Sequence, residues 1–239
     1  MLEQIALDEI LFLDIETVSQ SPEFGQLDDD FKTLWTEKSR FMREKNNTSI
    51  EDSYESAGIY AEFGKVICVS AGYFASRQGE RIFRVTSFYG DDEEVVLQDF
   101  AAMLNTHTGN KFKILCAHNG KEFDFPYLCR RMLVNNVALP QLLDIAGKKP
   151  WEIGHLDTME LWKFGDYKHY TSLKLLAKIL GVPTPKDDID GSQVKAVYYN
   201  EKDLGRIERY CKKDVVTVAQ ILLRYRGEKI LPEESIVAV

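Results

Sequence analysis

A hydrophobic run near the start of the chain, Ile-Leu-Phe-Leu-Asp-Ile-Glu, carries two acidic residues two positions apart. Such a run predicts a buried β-strand over Ile10–Ile15. Because alternate residues of a strand point to opposite faces, Asp14 and Glu16 share one face. Two carboxylates at the end of a buried strand repel each other unless a cation lies between them, and a divalent metal is the simplest such cation. The alternative is that the strand simply reaches solvent there.

The rest of the chain alternates strand and helix patterns. Early strands followed by alternating helices indicate an α/β layer fold with a mixed sheet. Between the first two strands, residues 19–62 are polar but carry apolar residues at helical spacing, which predicts a helical insertion in a single domain, 1–239. Strands are predicted at Val66–Phe74, Arg81–Phe88, Lys113–Ala117 and near His155–Thr158, and helices at Glu93–Leu104, Phe123–Leu133, Ser172–Leu180 and Asp203–Arg224.

Composition and charge exclude several classes of protein. The 239 residues are 44% hydrophobic and carry a net charge of −8, which argues against a protein that coats long nucleic acid duplexes. No apolar run is long enough to span a membrane, and the first residues are acidic where a signal peptide is basic, so a cytoplasmic location is expected. The four cysteines form no CxxC pair, which favours free thiols over disulfides or structural zinc.

A second group of polar residues follows the fourth predicted strand, in the segment Leu115-Cys-Ala-His-Asn-Gly-Lys-Glu-Phe-Asp. Asn119 and Asp124 lie where that strand turns into a helix, and so come to an edge of the sheet. Each also has an ordinary structural explanation, because Asn is common in turns and Asp is common at helix N-caps.

A third acidic residue lies on the apolar face of the last long helix. Ile207, Cys211 and Val218 belong to one apolar stripe, and Asp214 falls in its middle with Tyr210 one turn earlier. A charge on a buried face needs a partner, which is either a cation site or a structural salt bridge. A similar Tyr199–Asp203 pair is interpreted instead as the N-cap region of the same helix.

Other catalytic motifs are absent from the sequence. It has no G-x-G, no GxxxxGK[ST], no GxSxG and no HExxH. Nucleotide cofactors, P-loop chemistry and serine hydrolysis therefore lose their support.

The order D-x-E, N-x-x-x-F-D and Y-x-x-x-D resembles the DEDD superfamily of 3′→5′ exonucleases, in its tyrosine subclass. Arg209 stands where the histidine subclass has its histidine. The segment Phe-Asp-Phe-Pro-Tyr-Leu, 123–128, is similar to the proofreading domain of family-B DNA polymerases. The resemblance runs from about Leu11 to Leu223, so it implies a stand-alone member of the group.

The resemblance implies an RNase H-like fold, a five-stranded mixed sheet flanked by helices, and a site with two divalent cations, Mg²⁺ or Mn²⁺. It implies hydrolysis from the 3′ end of single-stranded DNA or RNA, with DNA favoured, to nucleoside 5′-monophosphates. An exoribonuclease and a non-catalytic nucleic-acid-binding module stay as alternatives. The implied cation ligands are Asp14, Glu16, Asp124 and Asp214; Tyr210 orients the attacking water; and the implied substrate-binding residues are Thr17, Asn119 and Phe123.

Basic residues near the second and third motifs have two interpretations. They either contact phosphates or, as we favour, lie on solvated helix surface. These residues are Lys121, Arg130, Arg131, Arg209, Lys212 and Lys213.

Overall fold

The computed structural model describes residues 2–108, 112–166, 170–183 and 189–239. Within these residues six strands form one mixed sheet, in the order β5-β4-β1-β2-β3-β6. The strands are β1 (Ile10–Ser19), β2 (Gly64–Arg77), β3 (Glu80–Tyr89), β4 (Ile114–Ala117), β5 (Leu156–Asp157) and β6 (Ile236–Ala238). Five strands were expected, and the sixth is a short strand that pairs in parallel with the open edge of β3.

Helices flank both faces of the sheet. The described helices are α1 (Asp29–Asn46), α2 (Ile50–Tyr54), α3 (Glu93–Thr108), α4 (Asp124–Val134), α5 (Thr158–Lys163), α6 (Leu173–Leu180), α7 (Val194–Ala196) and α8 (Leu204–Tyr225). Short 3₁₀ turns cover Leu2–Gln4, Leu7–Glu9, Phe24–Gln26, Ala57–Ile59, Gln141–Leu143, Pro150–Glu152 and Glu233–Ser235, and a π-helical turn covers Val197–Glu201.

Strand β1 lies at the centre of the sheet and is buried on both faces. It pairs with β2 in the antiparallel direction and with β4 in parallel. Leu11 and Leu13 pack into the layer formed with α3 and α4. Ile10 and Phe12 pack on the opposite face, against apolar residues of α8. The sheet therefore directs even-numbered residues of β1 toward α8.

The segment between β1 and β2 contains helices α1 and α2. Helix α1 begins after Asp28, whose side chain accepts a hydrogen bond from the Phe31 N–H, and it ends at Asn47 in the left-handed conformation. Trp35, fully buried, contacts the rings of Tyr54 and Phe63 edge-on. The segment thus has a small aromatic core of its own beside the main sheet.

A buried ion pair joins α3 and α4. Arg131 donates two hydrogen bonds to the Glu93 carboxylate, at 2.9 and 2.5 Å, and both residues are buried. Glu93 also accepts the Val66 N–H. The interpretation of Arg131 as a phosphate contact or a solvated residue is therefore wrong, because this arginine holds two helices and the sheet together.

No helix among the described residues combines the length and the apolar character needed to cross a membrane. The four cysteines are all free. Cys68, Cys116 and Cys211 are buried, whereas Cys129 is half-buried.

Candidate active site

Two acidic residues of β1 face helix α8. Asp14 and Glu16 share the face of Phe12, which packs on that helix. A carboxylate oxygen of Asp14, one of Glu16 and the Cys211 Sγ all lie within 4.8 Å of one another. Glu16 is only 8% exposed, and the strand continues to Ser19. The alternative that the strand reaches solvent at Glu16 is therefore wrong.

The turn after β4 brings a third carboxylate to the same place. Because Phe12 pairs with Cys116, β4 ends beside the part of β1 that carries the acidic pair. Asn119 adopts the left-handed conformation, with φ of 62°, and the chain then enters α4. Asp124 is the first residue of that helix rather than its N-cap, and its Oδ1 accepts the Ile15 N–H at 3.2 Å. A backbone hydrogen bond thus fixes Asp124 against β1.

Helix α8 supplies the remaining two residues. Asp214 is close enough to Asp14, Glu16 and Asp124 to raise the pKa of each. The Tyr210 phenol is hydrogen-bonded to the Asp214 side chain. Asp203 caps the start of α8, its Oδ1 accepting the Arg206 N–H at 2.9 Å, so its interpretation as an N-cap is confirmed.

The site holds several buried carboxylates close together, and their ionised forms repel one another. Burial raises the pKa of Asp14 and of Glu16, and the neighbouring carboxylates raise both further. Burial also raises the pKa of Asp124 to about 7, with Asp157 and Asp214 adding to the effect. Asp14 Oδ2 is buried with no hydrogen-bond donor. A crowded set of hard oxygen donors with an unpartnered oxygen fits Mg²⁺ or Mn²⁺.

These side chains form part of the wall of an open cleft of about 880 Å³. Asn119 and Phe123 line it, and the buried Oδ1 of Asn119 has no hydrogen-bond donor. Thr17 does not line this cleft: its hydroxyl donates to the Gly58 carbonyl at 2.9 Å. Thr17 lines instead a second groove, of about 790 Å³, that runs from Glu16 toward α1 and α2.

The cleft also has lining residues that no sequence motif indicated. Tyr170 is 72% exposed and Lys174 lies on the first turn of α6. Ile59 is 57% exposed and belongs to both the cleft and the second groove. None of these residues belongs to a recognisable motif, and only the fold brings them to the cleft.

A further carboxylate, Asp157, organises the turn that carries Asn119. Its Oδ1 accepts the N–H groups of Asn119, Met159 and Glu160, and its Oδ2 accepts that of Lys121. Asp157 is 3% exposed and sits at the end of β5. The sequence signal for this residue is an acidic side chain within the predicted strand near His155–Thr158.

Replacing Asp157 by alanine is expected to lower the free energy of unfolding by more than about 2 kcal/mol, the upper end for loss of a helix N-cap. The expected loss exceeds that of an N-cap because N–H groups of a second segment, around Asn119, lose their acceptor as well. Urea denaturation measures the change. Asp28→Ala is the matched control, since Asp28 caps α1 from an exposed position with one hydrogen bond. Equal destabilisation by the two substitutions contradicts the prediction.

The mixed sheet flanked by helices places the protein in the RNase H-like fold class. A family described as predicted 3′–5′ exonucleases related to the exonuclease domain of PolB matches residues 59–230, and the chain belongs to that family. The match includes Asn119, Asp124, Tyr210 and Asp214, whereas β1 with its acidic pair precedes it.

A solved structure gives the same fold. The family B DNA polymerase from the hyperthermophilic archaeon Pyrobaculum calidifontis aligns with 90% of this chain, with a TM-score of 0.57 and 16% sequence identity. The alignment covers 24% of the polymerase, so the chain spans about a quarter of its length. No curated protein sequence matches the chain.

Proposed function

We propose that this protein removes nucleotides one at a time from the 3′ end of single-stranded nucleic acid, with DNA favoured, and releases nucleoside 5′-monophosphates. The convergence of Asp14, Glu16, Asp124 and Asp214 at one open cleft carries the proposal. Burial raises the pKa of each of the first three, and the nearby Asp214 raises each pKa further. Membership of the PolB-related exonuclease family supports it.

The four carboxylates are the proposed ligands of two divalent cations, Mg²⁺ or Mn²⁺. Asp14 is the shared ligand, Glu16 and Asp214 complete one site, and Asp124 supports the other. In such a pair, one cation lowers the pKa of the attacking water and the other neutralises charge on the leaving oxygen. The residues fit this role because Asp14 Oδ2 is buried without a donor and the surrounding carboxylates repel one another.

Tyr210 orients the attacking water in this proposal. Burial and the neighbouring Asp214 raise the pKa of its phenol above the usual value, so the phenol keeps its proton at neutral pH. A protonated phenol is a poor general base but a good hydrogen-bonding group. Its role is therefore to aim the water while the carboxylates hold the cations.

The terminal nucleotides lie in the cleft beside Asn119 and Phe123. The Phe123 ring offers a surface on which any base can stack, which suits an enzyme that removes nucleotides without regard to sequence. The buried Oδ1 of Asn119 is an acceptor without a donor, and a sugar hydroxyl or base N–H supplies one. Thr17 lies in the adjoining groove, so its contact with substrate is confined to nucleotides farther along the strand.

Linear single strands labelled at the 5′ end are expected to shorten progressively from the 3′ end in Mg²⁺ or Mn²⁺, while a closed circle of the same sequence stays intact. The circle is the control because it offers no 3′ terminus. Denaturing gels of matched DNA and RNA strands measure both the direction and the preference.

Each other outcome points to a different function. Rapid cutting of the circle indicates an endonuclease. Faster shortening of RNA than of DNA indicates an exoribonuclease. If the protein binds the strands but shortens them in neither Mg²⁺ nor Mn²⁺, it is a binding module.

A further inference from the structure

Two thiols lie near the acidic pair of β1, one on the helix that packs on it and one on the strand paired with it. Cys211 is on α8, and Cys68 is on β2 in the position paired with Glu16. Both cysteines are fully buried. The Cys211 Sγ lies within 4.8 Å of the carboxylate oxygens of both Asp14 and Glu16. A soft sulfur donor thus belongs to the same cluster as the hard oxygen donors.

The acidic side chains of this cluster point to a missing cation. Asp14 Oδ2 is buried and has no hydrogen-bond donor. Glu16 is 8% exposed, so its carboxylate is largely withdrawn from water. Cys211 itself donates to the Asp14 backbone carbonyl at 3.4 Å, which places its sulfur beside the strand that carries both acids.

We propose that Cys211 is a ligand for thiophilic divalent cations at this site, so that zinc(II) or cadmium(II) is held by the Cys211 sulfur with Asp14 and Glu16. Zinc takes sulfur at about 2.3 Å and carboxylate oxygen at about 2.0–2.2 Å, usually in a tetrahedron. Donors on such an ion are about 3.5 Å apart, and the three groups already lie within 4.8 Å of one another, so small side-chain adjustments bring them to that spacing. The Cys211 thiol gives its proton to solvent as the sulfur–metal bond forms.

This inference shares the carboxylates of the proposed function but does not depend on nuclease activity. Mg²⁺ and Mn²⁺ prefer oxygen donors and leave the thiol unused. Cys211 is not among the cleft-lining residues. A zinc ion bound to its sulfur would therefore reach Asp14 and Glu16 from the interior side of the cleft wall. Thiophilic and hard cations therefore compete for the same two carboxylates.

The test is the near-ultraviolet sulfur-to-cadmium charge-transfer absorption of the chelator-treated full chain on addition of one equivalent of CdCl₂. The parent protein is expected to develop this absorption, and Cys211→Ala and Cys211→Ser are expected to lose it. Cys129→Ser is the matched control, because that thiol is bonded to the Leu143 carbonyl in another part of the molecule. Cys68→Ser is expected to keep the absorption.

A second variant keeps the inference testable if the Cys211 substitutions disturb the core. Asp14→Asn retains every cysteine and is expected to weaken cadmium binding at least 10-fold. No absorption in the parent, or an undiminished absorption in a folded Cys211→Ala protein, overturns the assignment. An inactive chain with Cys211-dependent absorption contradicts only the proposed nuclease function, whereas an active nuclease without absorption contradicts only this inference.

Discussion

Replacing Asp14 by asparagine is expected to abolish exonuclease activity while keeping or raising the melting temperature of the metal-free protein. Asparagine has nearly the same shape but lacks the charge that a cation ligand needs. Burial and three neighbouring carboxylates raise the pKa of Asp14, so its ionised form is unfavourable in the folded, metal-free protein. The same result is expected for Asp214→Asn, whose carboxylate acts on Asp14, Glu16 and Asp124.

The size of the thermal effect follows from the repulsion that is removed. Relief of about 1 kcal/mol corresponds to an increase of about 2–4 °C in the melting temperature of a chain of this length. Differential scanning calorimetry in the presence of a chelator measures it. Adding Mn²⁺ is expected to stabilise the parent protein and to stabilise Asp14→Asn much less, because ligand binding to the folded state adds to stability.

Asp203→Asn is the matched control for these substitutions. Asp203 is exposed and lies at the start of α8, where it caps the helix through the Arg206 N–H. Asparagine caps as well as aspartate does, so activity and melting temperature are expected to stay near the parent values. If Asp14→Asn is inactive because the protein is largely unfolded, Asp14 has a structural role and the assignment as a cation ligand fails.

The sequence predicted those parts of the site that depend on local periodicity. The period of a strand places Asp14 and Glu16 on one face. Ile10 and Phe12 pack on that face against α8, whereas Leu11 packs on the opposite one. The period of a helix likewise placed Asp214 on the apolar side of α8. Both are properties of a few consecutive residues, so no knowledge of the rest of the fold was needed.

Contacts between distant parts of the chain could not be predicted in this way. Local charge suggested solvent for Arg131, but this residue and Glu93, 38 positions apart, neutralise each other in the interior. The proximity of Cys211 to Asp14 depends on α8 packing across β1, 197 positions away. Strand β6 has three residues and exists only because β3 offers an open edge.

Strand β1 also runs farther than its apolar pattern indicated. The pattern ends at Ile15, whereas the strand continues to Ser19 because β2 pairs with it over that length. The pairing register shifts between Glu16 and Thr17, and the extra residue lies on β2. Alternation along β1 therefore continues, and Val18 packs in the same cluster as Ile207 and Cys211 of α8. Counting by two thus places Thr17 on the face of β1 opposite to Asp14 and Glu16. Thr17, assigned to the substrate by resemblance, consequently lies in the adjoining groove.

Replacing Tyr210 by phenylalanine is expected to lower kcat by about 10–10³-fold. This loss is smaller than the about 10²–10⁴-fold effect of a group that transfers the proton, because the phenol only orients the water. The substitution keeps the ring and its packing against the core of α8 but removes the phenol that bonds to Asp214. Cation affinity is expected to stay nearly unchanged because the carboxylates remain. Asp214→Ala is expected to be far more damaging, since it removes a proposed cation ligand.

Single-turnover kinetics with a 5′-labelled strand, together with Mn²⁺ titration of each variant, separate loss of orientation from loss of metal. Tyr199→Phe is the control, because the Tyr199 hydroxyl donates to the Ser19 carbonyl and does not line the cleft. This variant is expected to keep kcat near the parent value, with at most a small loss of stability. If Tyr199→Phe loses most of its kcat while Tyr210→Phe is as active as the parent, the third motif has been misplaced. Asp203 then replaces Asp214 as the candidate ligand.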